Sequence, residues 1–140
     1  MMDGMRRLCV GTLWVSLLVS CWLGSSAEGV DRRSAGFHGD VEFVRRGEVG
    51  LTLDAYVPEG KGPFPTCILV HGGGFIRGDK QSYIKPLFEP LGKAGFAWFT
   101  INYRLAPTNR WPACAEDVAE AVRWVKAHAA EYQVDPRRIA

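Results

Sequence analysis

The stretch TCILVHGGG, residues 66–74, decides the fold, because it joins a buried strand to a loop with almost no side chains. Residues 66–70 form a short apolar run rich in β-branched side chains, which is typical of a buried β-strand. The glycines at 72–74 leave backbone N–H groups unshielded and free to adopt positive φ. Such groups can turn toward a small anion, so the loop is suited to form an oxyanion hole.

Two further stretches raise this signal above that of an ordinary tight turn. They are FIRGDK at 75–80, directly after the glycines, and NYRLAP at 102–107. Together with HGGG at 71–74, they resemble the α/β-hydrolase fold, in its branch of hormone-sensitive-lipase-like and BD-FAE-like esterases and lipases. The resemblance covers about residues 41–140 and is most specific over 70–107.

The resemblance implies that the backbone N–H groups of Gly73 and Gly74 form the oxyanion hole of a carboxylic ester hydrolase. The competing interpretation is that these glycines only permit a tight chain reversal. His71 lies between a buried strand and the glycines, so we expect it to orient the loop by hydrogen bonding rather than to act as a general base. Asp79 is expected to fix the loop by accepting hydrogen bonds from backbone N–H groups, with a solvated turn as the alternative.

Arg104 and Asp117 stand at the ends of consecutive predicted elements. We expect them to form a partly buried bidentate pair that holds a helix to the sheet. The alternative is two surface charges that contribute little to stability.

The periodicity of the remaining sequence predicts an N-terminal antiparallel hairpin that leads into a mainly parallel sheet with flanking helices. Alternating apolar residues at 41–45 and 51–57, with a turn at 47–50, predict the hairpin. A near-continuous apolar run at 96–102 predicts a central parallel strand.

Two helical segments are predicted around that central strand. Apolar residues at spacings of three and four indicate a helix over about 113–132. The crossover at 82–95 contains Pro86 and Pro90, which cannot both sit comfortably inside a helix, so its regular part should be short or kinked.

The length of 140 residues is short for a single-domain α/β enzyme, which commonly has roughly 200–250. The fold class is therefore α/β, as the N-terminal half of an α/β-hydrolase, truncated before the nucleophile elbow. Residues 137–140 resemble the start of the family's fifth strand, which G-x-S-x-G follows. No G-x-S-x-G occurs in the sequence. We expect the serine nucleophile, the acid and the base beyond Ala140, so that these residues alone are inactive.

The N-terminus predicts export. Two arginines precede the apolar stretch of 16 residues from Leu8 to Leu23, which is short for a membrane span and suits a signal peptide. The length disfavours the alternative, an uncleaved anchor. Small residues before Glu28 indicate cleavage after Ala27, and hence a secreted or periplasmic protein. Cys21 also fits a lipobox, and its acylation would tie the protein to a membrane. The predicted domains are a signal peptide at 1–27, a linker at 28–40 and a partial α/β-hydrolase domain at 41–140.

Charge and cysteine content exclude several classes. The formal charge of the chain is +2, and without the leader it is nearly neutral, so no basic field would attract nucleic acid. Cys67 and Cys114 have no His or Cys nearby at ligand spacing, which argues against a metal site. Export permits a disulfide between them, although free thiols are favoured, since Cys67 falls within a strand. The sequence predicts no cofactor.

These observations predict an exported serine carboxylesterase or lipase, acting on short acyl esters or on acetyl or feruloyl groups of a polysaccharide. The alternative is a noncatalytic binding protein of the same fold that lacks a nucleophile. A dehydrogenase is disfavoured, because no G-x-G-x-x-G occurs in the chain. Acyl specificity and oligomeric state are left open.

Overall fold

The computed structural model describes residues 31–140; the predicted signal peptide lies outside them. They form a mixed sheet of five strands in the order β1-β2-β4-β3-β5, with a helix on each face. In chain order the elements are strands β1 (Gly36–Arg46), β2 (Val49–Val57) and β3 (Phe64–Val70), a 3-10 turn (Lys85–Leu87), helix α1 (Phe88–Lys93), strand β4 (Ala97–Ile101), helix α2 (Ala113–Ala127) and strand β5 (Val134–Ile139). This architecture confirms the predicted α/β class.

Strands β1 and β2 form the predicted antiparallel hairpin at one edge of the sheet. The linker predicted over 28–40 is wrong in its last part, because β1 already begins at Gly36. The first residues of β1 are held by Phe37, whose ring centroid lies 6.2 Å from that of Trp98. The pairing then passes through a bulge at Asp40, where φ is 55°. Glycine and aspartate in this segment suit such a bulge and made it resemble a loop.

Strands β3 and β4 run parallel at the centre of the sheet, and the two faces of β4 differ in their neighbours. Phe99 and Ile101 belong to the main apolar core, together with Ala121 and Val125 of α2. Trp98 lies on the other face, where the Phe88 ring at the start of α1 stacks on it at 4.2 Å. The sheet is therefore covered by α2 on one face and by the crossover on the other.

Both helical segments have the character that the sequence predicts. The crossover contains only a 3-10 turn and the six-residue helix α1, with Pro86 and Pro90 in their first turns, where proline is tolerated. Helix α2 ends at Ala127, five residues before the predicted end. The following turn still carries Tyr132 into the core, where its exposed fraction is 1%, which explains the continued apolar periodicity.

Strand β5 pairs with β3 in parallel, but only at its two ends. Between them the chain bulges away, and Asp135 accepts hydrogen bonds from the backbone of Arg137 and the side chain of Arg138. Because β3 and β4 are parallel, the loops that follow them meet at one edge of the sheet, which is the usual site of ligand binding in such folds. In the described residues no helix is long and apolar enough to cross a membrane.

Candidate functional site

The glycine loop, defined here as residues 71–79, leaves the carboxyl end of β3 and turns at residues 73–76, where the Ile76 N–H donates to the Gly73 carbonyl oxygen at 3.3 Å. Gly73 and Gly74 have φ of 121° and 64°, and Phe75 follows at 64°. A β-carbon on Gly73 would overlap the carbonyl oxygen of Arg77, because the loop folds back on itself there. A β-carbon on Gly74 would meet open space, so at that position the backbone angle alone favours glycine.

The backbone donors of the two glycines are free within the described part of the chain. Among residues 31–140, neither Gly73 nor Gly74 donates its N–H to an acceptor. A groove of about 460 Å³ opens beside them, and Ile76, Arg77 and Tyr83 complete its lining. Free neighbouring amides next to open space meet the chemical requirement for binding an oxyanion.

His71 is enclosed beneath the loop, with an exposed fraction of 4%. Its ring stacks on Tyr103 at 4.3 Å, and Nδ1 lies 2.7 Å from the carbonyl oxygen of Gly72. Gly78 passes so close that a β-carbon there would lie 2.6 Å from Nδ1. The imidazole thus contacts both the start and the end of the loop.

The segment after β4 holds the loop from the other side. The Tyr103 hydroxyl donates to the His71 carbonyl oxygen at 2.9 Å, and the Ala106 N–H donates to the Phe75 carbonyl oxygen at 2.8 Å. The three stretches that carried the sequence resemblance are therefore in direct contact, since residues 102–107 bind both 71–74 and 75–80.

Asp79 stabilises the turn after the loop. Its carboxylate accepts hydrogen bonds of 2.9 Å from the Gln81 N–H and the Ser82 hydroxyl, and these bonds lower its pKa. It does accept from a backbone N–H, as the sequence suggested, but that N–H belongs to residue 81. Its bonds reach forward into the crossover rather than back to the glycines.

The buried anchor at the end of the loop is Lys80, which the sequence analysis did not single out. Its ammonium contacts the carboxylates of Asp54 on β2 and Asp40 in the β1 bulge. Burial alone would lower the pKa of Lys80, but the hydrogen bonds to both carboxylates outweigh it and the pKa is raised. No local signal marked this pair, because Asp54 occupies one of the polar positions in the alternating pattern of β2.

Arg104 and Asp117 come together at the join between β4 and α2. The guanidinium binds the carboxylate in a bidentate pair of 2.8 and 2.9 Å, and the Arg104 backbone N–H adds a third bond of 3.0 Å. Arg46 at the end of β1, which the sequence analysis had left without a role, adds a fourth at 3.3 Å. Burial would raise the pKa of Asp117, but the bonds from the two arginines outweigh it and the pKa is lowered.

An apolar cleft of about 80 Å³ lies beside the loop on the α2 side. Val70, Phe75, Trp111 and Val118 are among its lining residues. Cys114 also lines the cleft. The thiols of Cys114 and Cys67 are both free. Within residues 31–140, no group of three or more His, Cys, Asp or Glu side chains is placed to hold a metal ion.

Known proteins resemble this chain in sequence and in fold. The family model BD-FAE matches residues 53–140. Probable carboxylic ester hydrolase LipM of Mycobacterium tuberculosis is 40% identical over 100 residues, which cover 71% of this chain and 21% of the relative. The ethyl acetate hydrolase of Pseudomonas putida is 32% identical over 104 residues, which cover 72% of this chain and 33% of the relative.

Among solved structures, the thermophilic esterase Est2 of Thermogutta terrifontis with bound butyrate superimposes with a TM-score of 0.67 at 28% identity. The match covers 74% of this chain and 38% of that one. The same esterase matches equally well when phosphonylated by sarin. The chain thus spans between about a fifth and two fifths of the length of these relatives.

Proposed function

The chain belongs to the BD-FAE family of α/β-hydrolases, and from this premise we propose that it is a carboxylic ester hydrolase in which the glycine loop binds the oxyanion. The observation that carries the proposal is the pair of free N–H groups on Gly73 and Gly74, beside open space at the carboxyl end of β3. The relatives are named as ester hydrolases, which favours catalysis over the noncatalytic binding protein.

The chemistry of the proposal is electrostatic. When an ester carbonyl is attacked, its oxygen gains negative charge, and a donor fixed in advance can lower the barrier by about 3–4 kcal/mol. Main-chain amides suit this task because they are held by the loop and need no side-chain reorganisation. His71, Tyr103 and Ala106 hold the loop in place, so its donors are set before the substrate arrives.

The nucleophile, the acid and the base belong to the proposal as well. Since G-x-S-x-G does not occur in the printed sequence, we propose that a serine outside these 140 residues attacks the ester. The serine would approach from the strand β5 side, because β5 is the neighbour of β3 in the sheet. The 140 residues by themselves are then expected to be inactive.

For the substrate we propose small acyl esters. The cleft lined by Val70, Phe75 and Trp111 offers an apolar wall next to the glycines, where an acyl chain would lie while its carbonyl oxygen meets the N–H groups. Its small volume favours short chains. The esterase Est2 holds butyrate or propionate in two of the matching structures, which is consistent with this size.

The test uses the full-length protein, hydrolysis of p-nitrophenyl acetate and labelling by a fluorophosphonate probe. We expect turnover in the wild type and a fall in kcat of about 100-fold or more in Gly74→Val. Gly95→Val is the matched control, because Gly95 also has positive φ (78°) with open space around its β-carbon. Gly95 precedes the amino end of β4, whereas the glycine loop follows the carboxyl end of the parallel strand β3. The kcat of Gly95→Val should stay within about twofold of wild type.

Two outcomes would overturn the proposal. A wild-type protein that neither hydrolyses the ester nor accepts the probe would favour the binding protein. Unchanged turnover in Gly74→Val would remove the loop from catalysis.

Export is a separate proposal that the apolar stretch at 8–23 supports. Mass spectrometry of the secreted protein should show an N-terminus at Glu28. A diacylglyceryl adduct on Cys21 would instead favour the lipoprotein.

A further inference from the structure

We propose that Lys80 is a positioning residue of the oxyanion hole, and that its buried ion pair with Asp54 fixes the end of the glycine loop against the sheet. The inference rests on the proposed function, because it assigns a role within the same reaction. Lys80 does not reach the groove beside the glycines, and the role is therefore exerted through the backbone.

Lys80 is attached at three points where the loop ends. Its N–H donates to Asn102 Oδ1 at 2.8 Å, and its carbonyl oxygen accepts from the Thr100 hydroxyl at 2.5 Å. Both partners belong to β4 or the residue that follows it, whereas Asp54, the partner of the side chain, lies on β2. The end of the loop is thus fastened to two neighbouring strands.

The Asp54 carboxylate is the centre of this attachment. Its exposed fraction is 1%, and that of Lys80 is 7%. Oδ1 also accepts the N–H of Asp40 at 2.9 Å, and Oδ2 accepts from the Gln81 side chain at 3.3 Å. The carboxylate therefore binds the β1 bulge and the residues after the loop together. Asp40 supplies a second carboxylate to Lys80, but its side chain is 84% exposed, and Asp54 is the stronger partner.

A short path connects this attachment to the glycines. Two residues before Lys80, Gly78 packs on the His71 ring without room for a β-carbon. One residue further back, the Arg77 carbonyl oxygen closes on Gly73 still more tightly. Because close-packed contacts of this kind transmit a displacement instead of absorbing it, a shift of Lys80 reaches the N–H groups of the oxyanion hole.

The test compares Lys80→Met with Lys93→Met in the full-length protein. Lys93 makes a 2.6 Å ion pair with Glu89 that is exposed on both sides, so the same substitution there removes a charge without touching the loop. We expect Lys80→Met to lower kcat for p-nitrophenyl acetate by about 10- to 100-fold, since a displacement of about 1 Å can cost that much. KM should stay within about twofold, and Lys93→Met should match wild type in both constants.

A double variant separates positioning from stability. Lys80→Met leaves the Asp54 carboxylate buried without its main cation, which destabilises the fold in its own right. Lys80→Met with Asp54→Asn removes both charges, so the urea midpoint should recover most of its loss. The attachment is still missing, and kcat should remain low. Hydrogen exchange should be faster in the peptide covering 71–79 and unchanged in the peptide covering α2.

The outcomes are distinct. Recovery of wild-type kcat in the double variant would overturn the inference, because stability alone would then explain the loss. If Lys80→Met does not fold, the double variant decides in the same way. An inactive, unlabelled wild-type protein would overturn the proposed function, whereas an active wild type with an equally active double variant would overturn only the role of Lys80.

Discussion

Two buried aspartates, one on each face of the sheet, are held in different ways. Asp54 faces the crossover and binds the ammonium of Lys80, while Asp117 lies on α2 and binds the guanidinium groups of Arg104 and Arg46. Both carboxylates are nearly or fully shielded from water. The partners of Asp117 lie at the end of β1 and three residues after β4, so this carboxylate joins the edge hairpin and the segment after β4 to α2. The partner of Asp54 joins the sheet to a loop.

The difference predicts a division of roles. An arginine fork binds a carboxylate at two atoms in a fixed plane, and two arginines provide redundancy, which suits a joint of the scaffold. A lysine provides a point charge, and here its backbone is fixed by two further bonds, which suits the end of a loop. Breaking the first pair should cost mainly stability, and breaking the second mainly turnover.

The largest effect on stability is expected from Arg104→Met. It leaves the Asp117 carboxylate, which has no exposed surface, with the 3.0 Å bond from the backbone N–H of residue 104 and the 3.3 Å contact to Arg46. The free energy of unfolding should fall by about 3 kcal/mol, at the low end for breaking a buried pair. Urea unfolding measures it as a lower midpoint with an unchanged slope.

Arg123→Met is the matched control, because Arg123 pairs with Glu120 on the exposed side of α2. The free energy of unfolding of Arg123→Met should fall by less than about 0.5 kcal/mol. Equal losses in the two variants would contradict the role given to Asp117.

The next largest expected effect is the change with pH in the stability difference between wild type and Arg104→Met. The pKa of Asp117 is lowered in the folded protein, so its ion pair stabilises the fold above the unfolded-state pKa of about 3.9 and loses this contribution as pH falls through the folded value. The stability gap between wild type and Arg104→Met should therefore shrink as pH falls from 6 to 3. A gap that is constant over this range, in urea unfolding at each pH, would show that protonation of Asp117 is not involved.

The sequence predicted those features that depend on local patterns. The hairpin, the parallel strands and α2 follow from periodicity, and the glycine loop follows from a run of residues without side chains. It also predicted the contact between Arg104 and Asp117, since both stand at the ends of consecutive elements.

Features that depend on register were missed. Asp54 and Lys80 are 26 residues apart, and they meet only because β2 pairs with β4 while the crossover returns over the same face. Arg46 and Asp117, 71 residues apart, meet through the same kind of long-range packing. The start of β1 was missed because the bulge at Asp40 interrupts the alternating pattern, although residues 36–38 before it pair with β2.

The smallest effect is expected from Asp79→Ala, although Asp79 is next to Lys80. Its bonds to Gln81 and Ser82 lie within one exposed turn, so kcat should fall by less than about threefold and stability by about 0.5 kcal/mol. Ester hydrolysis and urea unfolding of the same preparation measure both. A loss of turnover as large as that of Lys80→Met would move the anchor of the loop from residue 80 to residue 79.

The most direct test of the account is a crystal structure of the full-length protein after reaction with paraoxon. Attack on phosphorus leaves a covalent phosphoryl group whose oxygen stands in for the oxyanion of the tetrahedral intermediate. The account predicts that this oxygen lies about 2.7–3.1 Å from the backbone nitrogens of both Gly73 and Gly74. A phosphoryl oxygen bound by other donors, with the two glycine N–H groups facing solvent, would contradict it.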